Sequence, residues 1–216
     1  MTKLIAVLTG DLIGSSKAGE EALQASMRVA RSVGRDVGLW PSVQDTRFTR
    51  SRGDGWQMVL ARPALSLRVA LAMQARLRSW PGGLATRIAV GIGAVDGLGT
   101  RDLSDAGGAA FVASGQGLDR MGRGRMMVSC GTTTPAMQAI IGLADEIARR
   151  WTREQAEAMT LALPPDDPTL ETMATELQIS RQAVNYRLTG AGLRAIRAAL
   201  TGWEDMFDAG LITGVS

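Results

Sequence analysis

Two aspartates stand where their spacing and surroundings suit metal chemistry. Asp11 follows an apolar run over residues 4–8, and Asp54 lies in Gly53-Asp54-Gly55, between the runs 48–52 and 56–60. Phosphoryl transfer needs oxygen ligands for Mg²⁺, which prefers one or two carboxylates completed by substrate phosphates. Two carboxylates at the ends of neighbouring strands can hold two metal ions, one to activate a hydroxyl and one to hold a triphosphate. Gly10 and Gly14 flank Asp11 and would let phosphate oxygens approach the backbone of the intervening loop. Plainer readings exist for each residue alone. Asp54 can serve an Asp-Gly turn, Asp11 can cap a helix, and Arg87 can be a solvated residue at the start of a strand. The combination in this order carries the metal reading.

Composition removes competing chemistries. The 216 residues include no histidine and a single cysteine, Cys130. A Ser-His-Asp triad, a Cys-His pair, a histidine metal site, a cysteine zinc cluster and an internal disulfide are all excluded. Catalysis would rest on carboxylates, arginines, backbone groups and bound metal. The lone cysteine fits a reducing cytosol, so a cytoplasmic location is expected. No apolar run approaches the roughly 20 residues that cross a bilayer, and the first apolar stretch meets an acid, as a buried strand does, rather than a cleavage site. Charge is unevenly spread. Residues 1–149 hold 18 Lys/Arg and 12 Asp/Glu, a balance of +6, whereas residues 150–216 hold 6 and 9, a balance of −3. The first part suits anionic ligands.

Apolar periodicity and turn residues predict the framework around this chemistry. Residues 4–8 form a strand buried on both faces. Helical spacing of Leu23, Met27, Ala30 and Val33 or Gly34 predicts a helix over 19–37. The Asp-Gly step between two apolar runs predicts a hairpin. Pro63 opens a helix over 63–79, and Pro81-Gly82-Gly83 ends it. A central strand over 86–95, a Gly- and Asp-rich loop over 96–108, a helix over 109–121 and a strand over 126–129 complete a mixed sheet. The order is not the alternation of a doubly wound fold. From residue 135 onward the pattern is helical, with a break at Pro164-Pro165-Asp166-Asp167-Pro168. The chain therefore divides into 1–134, an α/β (α+β) part, and 135–216, a helical part.

Within the second part, Ala174, Leu177, Ile179, Val184 and Leu188 have the spacing of a helix-turn-helix, with Ser180 capping the second helix. Gln178 stands where glycine is usual in the turn. Arg181, Gln182, Asn185 and Arg187 fall on or near the exposed face of that helix. Arginine can read guanine, and Gln or Asn adenine, in a major groove, which makes double-stranded DNA an expected partner. The negative balance of residues 150–216 favours the alternative, a helical hairpin that packs on the first part or builds a dimer.

The stretch Leu8-Thr9-Gly10-Asp11-Leu12-Ile13-Gly14-Ser15 resembles the first metal-site motif of class III nucleotidyl cyclases, and Ser51-Arg52-Gly53-Asp54-Gly55 resembles their second. Arg87-Ile88-Ala89-Val90-Gly91-Ile92-Gly93 looks like the strand carrying their phosphate-binding arginine. The layout, with Gly107-Gly108-Ala109-Ala110-Phe111 and a C-terminal helix-turn-helix, is similar to SatD-type proteins. This resemblance implies a ferredoxin-like, palm-type mixed sheet, Mg²⁺ or Mn²⁺ on Asp11 and Asp54, a nucleoside triphosphate as ligand and a homodimer. It further implies phosphate contact by Arg87 and transition-state contact by Gln116 and Arg120. Arg50 would face the base, at the position where adenylyl cyclases carry a lysine, and Ala109 falls near where they carry its partner aspartate, so base preference is not inherited. Three functions remain open: a nucleotide-responsive regulator that contacts DNA, a metal-dependent purine nucleotide cyclase or related nucleotidyltransferase, and a non-catalytic structural dimer.

Overall fold

A computed structural model of the chain describes residues 4–41, 43, 45–51, 53–99, 102–122, 124–125 and 127–212. Arg52 and residue 126, expected at strand ends, lie outside the described residues, as do residues 1–3 and the last four of the helical part.

The strand β1 (Ile5–Leu12) is the centre of a five-stranded mixed sheet. The hairpin strands β2 (Arg47–Arg50) and β3 (Gly55–Leu60) lie on one side of it, and β4 (Thr86–Gly93) and β5 (Met127–Gly131) on the other, in the order β2-β3-β1-β4-β5. β1 is antiparallel to both β3 and β4, while β4 and β5 are parallel. The parallel pair needs a crossover, which helix α4 (Ala109–Asp119) supplies. This is the mixed α/β class that the element order predicts.

Alternation along β1 explains its continuous apolar run. Ala6 and Leu8 join a large core beneath helices α2 (Glu20–Val37) and α3 (Ser66–Ser79), and Ile5 and Val7 pack on the opposite face with Val59, Leu103 and Ala110. Helices therefore cover both faces, so a strand with no polar alternation is what burial requires. On the α4 face, Gly91 lets the helix press onto β4, because a Cβ there would lie 2.3 Å from the Ala110 carbonyl oxygen. Pro63–Leu65 form a short 3-10 turn ahead of α3, and the 86–95 strand of the sequence stops at Gly93.

Beyond the sheet come α5 (Pro135–Ala148), α6 (Arg153–Ala162), α7 (Leu170–Leu177), α8 (Arg181–Gly190) and α9 (Leu193–Asp208). Their starts are chemically marked. The side chains of Thr134, Thr152, Thr169 and Ser180 each accept a hydrogen bond from a backbone N–H in the first turn, and Thr152 forms a reciprocal capping box with Gln155. The sequence boundary at 134/135 coincides with the start of α5, yet the apolar core runs unbroken across it. Leu67 and Leu71 of α3 share one cluster with Met159 of α6 and Trp203 of α9. Arg68 reinforces the seam, bonding the Glu204 carboxylate at 2.8 Å and the Leu163 carbonyl at 2.9 Å. No described helix is long and apolar enough to cross a membrane.

Candidate functional site

Asp11 is held at the end of β1 by what lies under and beside it. Directly across the β1–β4 ladder is Arg87. Its guanidinium grips both carboxylate oxygens, with Nε donating to Oδ1 at 2.9 Å and an Nη2–H donating to Oδ2. Hydrogen bonding to Asp11 raises the Arg87 pKa above its usual value; the charges of Asp11, Asp54 and Asp119 add to this, and burial opposes it. Beneath the pair, the Asp11 carbonyl accepts from Thr86 Oγ at 2.8 Å, and Thr86 Oγ in turn accepts from the buried Trp56 indole N–H at 3.0 Å. Gln74 donates to the Thr86 carbonyl at 3.1 Å. A satisfied polar network of this kind fixes the strand end in one position.

Asp54 arrives from the hairpin. Ser51 N–H donates to the Gly55 carbonyl at 2.9 Å and closes the turn, and Asp11 is opposite Gly55 in the β1–β3 register. The Asp54 carbonyl accepts from Leu12 N–H at 3.2 Å, tying the hairpin tip to the end of β1. Its carboxylate accepts from the Ser15 hydroxyl at the start of the short helix α1 (Ser15–Ala18). Gly14 makes that approach possible. With φ 77° and ψ 13° it adopts the left-handed conformation, and nothing stands within 4 Å of the space a side chain would occupy.

Asp11, Asp54, Gly14 and Arg87 line a single cleft of ≈ 630 Å³. The rest of its lining includes residues that sequence patterns do not mark: Met121, Gly122, Gly124 and Arg125 in the α4–β5 connection, and Arg149 just past α5. The cleft thus carries two carboxylates, Asp11 and Asp54, and three arginines, Arg87, Arg125 and Arg149. The donor set is all hard oxygen, which suits Mg²⁺ or Mn²⁺. No three Asp, Glu, His or Cys side chains converge to hold a metal among the described residues. The residues therefore fit a metal held jointly with ligand phosphates and do not fit a metal held by the protein alone.

The structure places five of the sequence candidates away from the cleft or from the open face of α8. Gly10 is not in a phosphate loop but inside β1, paired on both sides with Trp56 and Ile88. A Cβ at Gly10 would meet the Trp56 ring at 2.4 Å, so glycine is there to seat the indole. Arg50 does not face the cleft: it donates to the Gly53 carbonyl at 3.0 Å and to the Gln24 side chain at 2.9 Å, bracing the hairpin on α2. Gln116 and Arg120, on the last turn of α4 and its cap, do not line the cleft within one chain. Arg187 turns away from the open face of α8 and pairs with Glu157 of α6 at 2.7 Å.

The other α8 residues do share one surface. Arg181, Gln182 and Asn185 line an open groove of ≈ 880 Å³ between α7 and α8, and neighbouring Tyr186 is 82% exposed. Arg181 approaches Glu171 of α7 at 3.3 Å. Gln178, at the turn, takes a left-handed conformation with φ 55°, the geometry glycine ordinarily supplies. Val184 and Leu188 point inward and are buried.

No protein-family model matches the chain, and no curated protein matches it. Among solved structures, it is similar to the structure of the active GGEEF domain of a diguanylate cyclase from Vibrio cholerae, at 16% sequence identity and a TM-score of 0.40, with 61% of this chain and 85% of that chain covered. A likeness at that level carries no argument about chemistry, so the functional reading rests on this chain's own side chains.

Proposed function

We propose that the protein is a nucleotide-responsive regulator with the layout of SatD-type proteins. Its α/β part binds a nucleoside triphosphate together with Mg²⁺, and its helical part presents α8 to double-stranded DNA. The observation that carries this reading is the convergence of Asp11, Asp54 and Arg87 in one cleft. Asp11 and Asp54 would hold the metal, which supplies charge neutralisation for the phosphates. Gly14 leaves the backbone of the β1–α1 turn open to a phosphate oxygen. Arg87 can pass part of its fork from Asp11 to the phosphates, since a guanidinium has five N–H donors and Asp11 engages two of its nitrogens. Arg181, Gln182 and Asn185 form the base-reading surface.

The cyclase reading draws less support, because Gln116 and Arg120 stand outside the cleft and Arg50 is committed to the hairpin. A catalytic role for Gln116 and Arg120 requires a homodimer in which α4 serves the partner's cleft. Binding of each nucleoside triphosphate, measured by calorimetry with and without Mg²⁺, tests the proposal. Mg²⁺-dependent binding that disappears in Asp54→Asn supports it. Absence of any triphosphate binding refutes it, and rapid Mg²⁺-dependent release of pyrophosphate moves the assignment to the enzyme.

A further inference from the structure

The lining of the cleft comes in part from the helical half of the chain. Arg149 comes directly after the last residue of α5, and its side chain is about one third accessible. Its Nε is buried with no hydrogen-bond acceptor, lying 3.9 Å from the nearest oxygen of Asp145. One Nη pairs with Glu146, but Glu146 also pairs with Arg150. Both hydrogen bonds, Arg149's first, hold the Glu146 carboxyl below its usual range. Transfer of Arg149 from Glu146 to another anion would leave Glu146 with its second arginine, Arg150. Arg125 is exposed and lines the same cleft.

The segment after Arg149 connects directly to α8. Trp151 is 2% exposed, and its indole N–H donates to the Ala191 carbonyl, the cap of α8, at 2.8 Å. The Trp151 carbonyl accepts from Arg78 of α3 at 2.8 Å. The Arg187–Glu157 ion pair fastens the same helix to α6. One short segment thus has the cleft at one end and the cap of α8 at the other.

We infer that Arg149, supported by Arg125, binds the terminal phosphate of the nucleotide and so ties occupancy of the cleft to the setting of α8. This rests on the nucleotide-binding reading above and goes beyond it by assigning phosphate recognition to the helical part. Arg87 alone is poorly placed for the whole task, because Asp11 already engages its fork. A triphosphate brought in beside two aspartates also needs further positive charge. On this assignment, a nucleotide lacking the terminal phosphate leaves Arg149 on Glu146.

Full-length protein is titrated with ATP, ADP and AMP, and with the guanine series, each with Mg²⁺, while amide hydrogen exchange is followed across α8. The expected result is triphosphate binding that slows exchange in residues 181–190, with monophosphates slowing it little. Arg149→Ala should weaken triphosphate binding about 10- to 100-fold, the range for lost charge-assisted hydrogen bonds, leave monophosphate binding near wild type, and abolish the slowing in α8. Arg125→Ala alters an exposed side chain, so folding is not at issue, and it should weaken triphosphates selectively by a smaller factor. Arg149→Lys should recover part of the affinity. Equal weakening of mono- and triphosphates, or wild-type affinity in both alanine variants, overturns this inference while leaving the nucleotide site intact. Failure of the wild type to bind any nucleoside triphosphate overturns the nucleotide reading and this inference with it.

Discussion

Replacing Arg87 with methionine separates the two jobs its guanidinium can perform. The Arg87–Asp11 pair is bidentate, but the two side chains are 38% and 23% accessible, so solvent screens much of their attraction. Removing it should cost about 0.5–1 kcal/mol of stability, a melting shift of about 1–4 °C for a chain of this size. The effect on ligand binding should be larger. Loss of charge-assisted hydrogen bonds to phosphate is worth about 1.5–3 kcal/mol, or about 10- to 100-fold in the triphosphate dissociation constant. Calorimetry with Mg²⁺ and scanning fluorimetry on the same samples measure the two effects. If Arg87 serves only to hold Asp11, the variant will instead free that carboxylate, and binding will stay unchanged or tighten. That outcome would refute the phosphate role.

Three further substitutions or probes test the surroundings. Gly10→Ala should destabilise the fold by about 1–3 kcal/mol by overpacking against Trp56, read as a lower urea midpoint with an unchanged slope. Gln178→Gly should raise the melting temperature by about 1–2 °C, since about 1 kcal/mol of left-handed backbone strain removed at the α7–α8 turn is partly offset by greater freedom of the unfolded chain. Burial pushes the Cys130 thiol up from 9.0 to about 11. The thiolate fraction below pH 9 falls about 100-fold, but the higher-pKa thiolate is the better nucleophile, so disulfide-exchange labelling should run about tenfold slower than for an unfolded control. Because the folded value is the raised one, the associated stability is intact below pH 9 and erodes as pH climbs from 9 towards 11.

The meeting of Asp11 and Asp54 in one cleft was legible in the sequence because it is built from local signals. A buried strand ending in Asp11 and an Asp-Gly hairpin each declare themselves within a few residues, and antiparallel pairing then brings them together. The helix starts at Thr169 and Ser180 were legible for the same reason, since capping is a short-range interaction. Arg125 and Arg149 were not legible. They reach the cleft through the crossover to β5 and the run of α5, and no pattern near either residue marks it as lining the cleft. Gly10 was misread because its reason is a tertiary contact with the Trp56 indole. Arg187 was misread because the face of α8 it occupies is covered by α6, which depends on packing between helices rather than on the periodicity of α8.

Binding of Mn²⁺, monitored by electron paramagnetic resonance with and without a nucleoside triphosphate, bears on the shared metal site without any intermediate assumption. Two carboxylates with no third protein ligand among the described residues should hold the ion weakly alone and far more tightly with phosphates to complete its oxygen shell. Saturating triphosphate should lower the protein's Mn²⁺ dissociation constant by about tenfold or more, beyond the metal's own affinity for the nucleotide, and Asp54→Asn should abolish the gain. Mn²⁺ bound equally well with and without triphosphate, or bound unchanged in Asp54→Asn, would contradict a metal held jointly by Asp11, Asp54 and the phosphates.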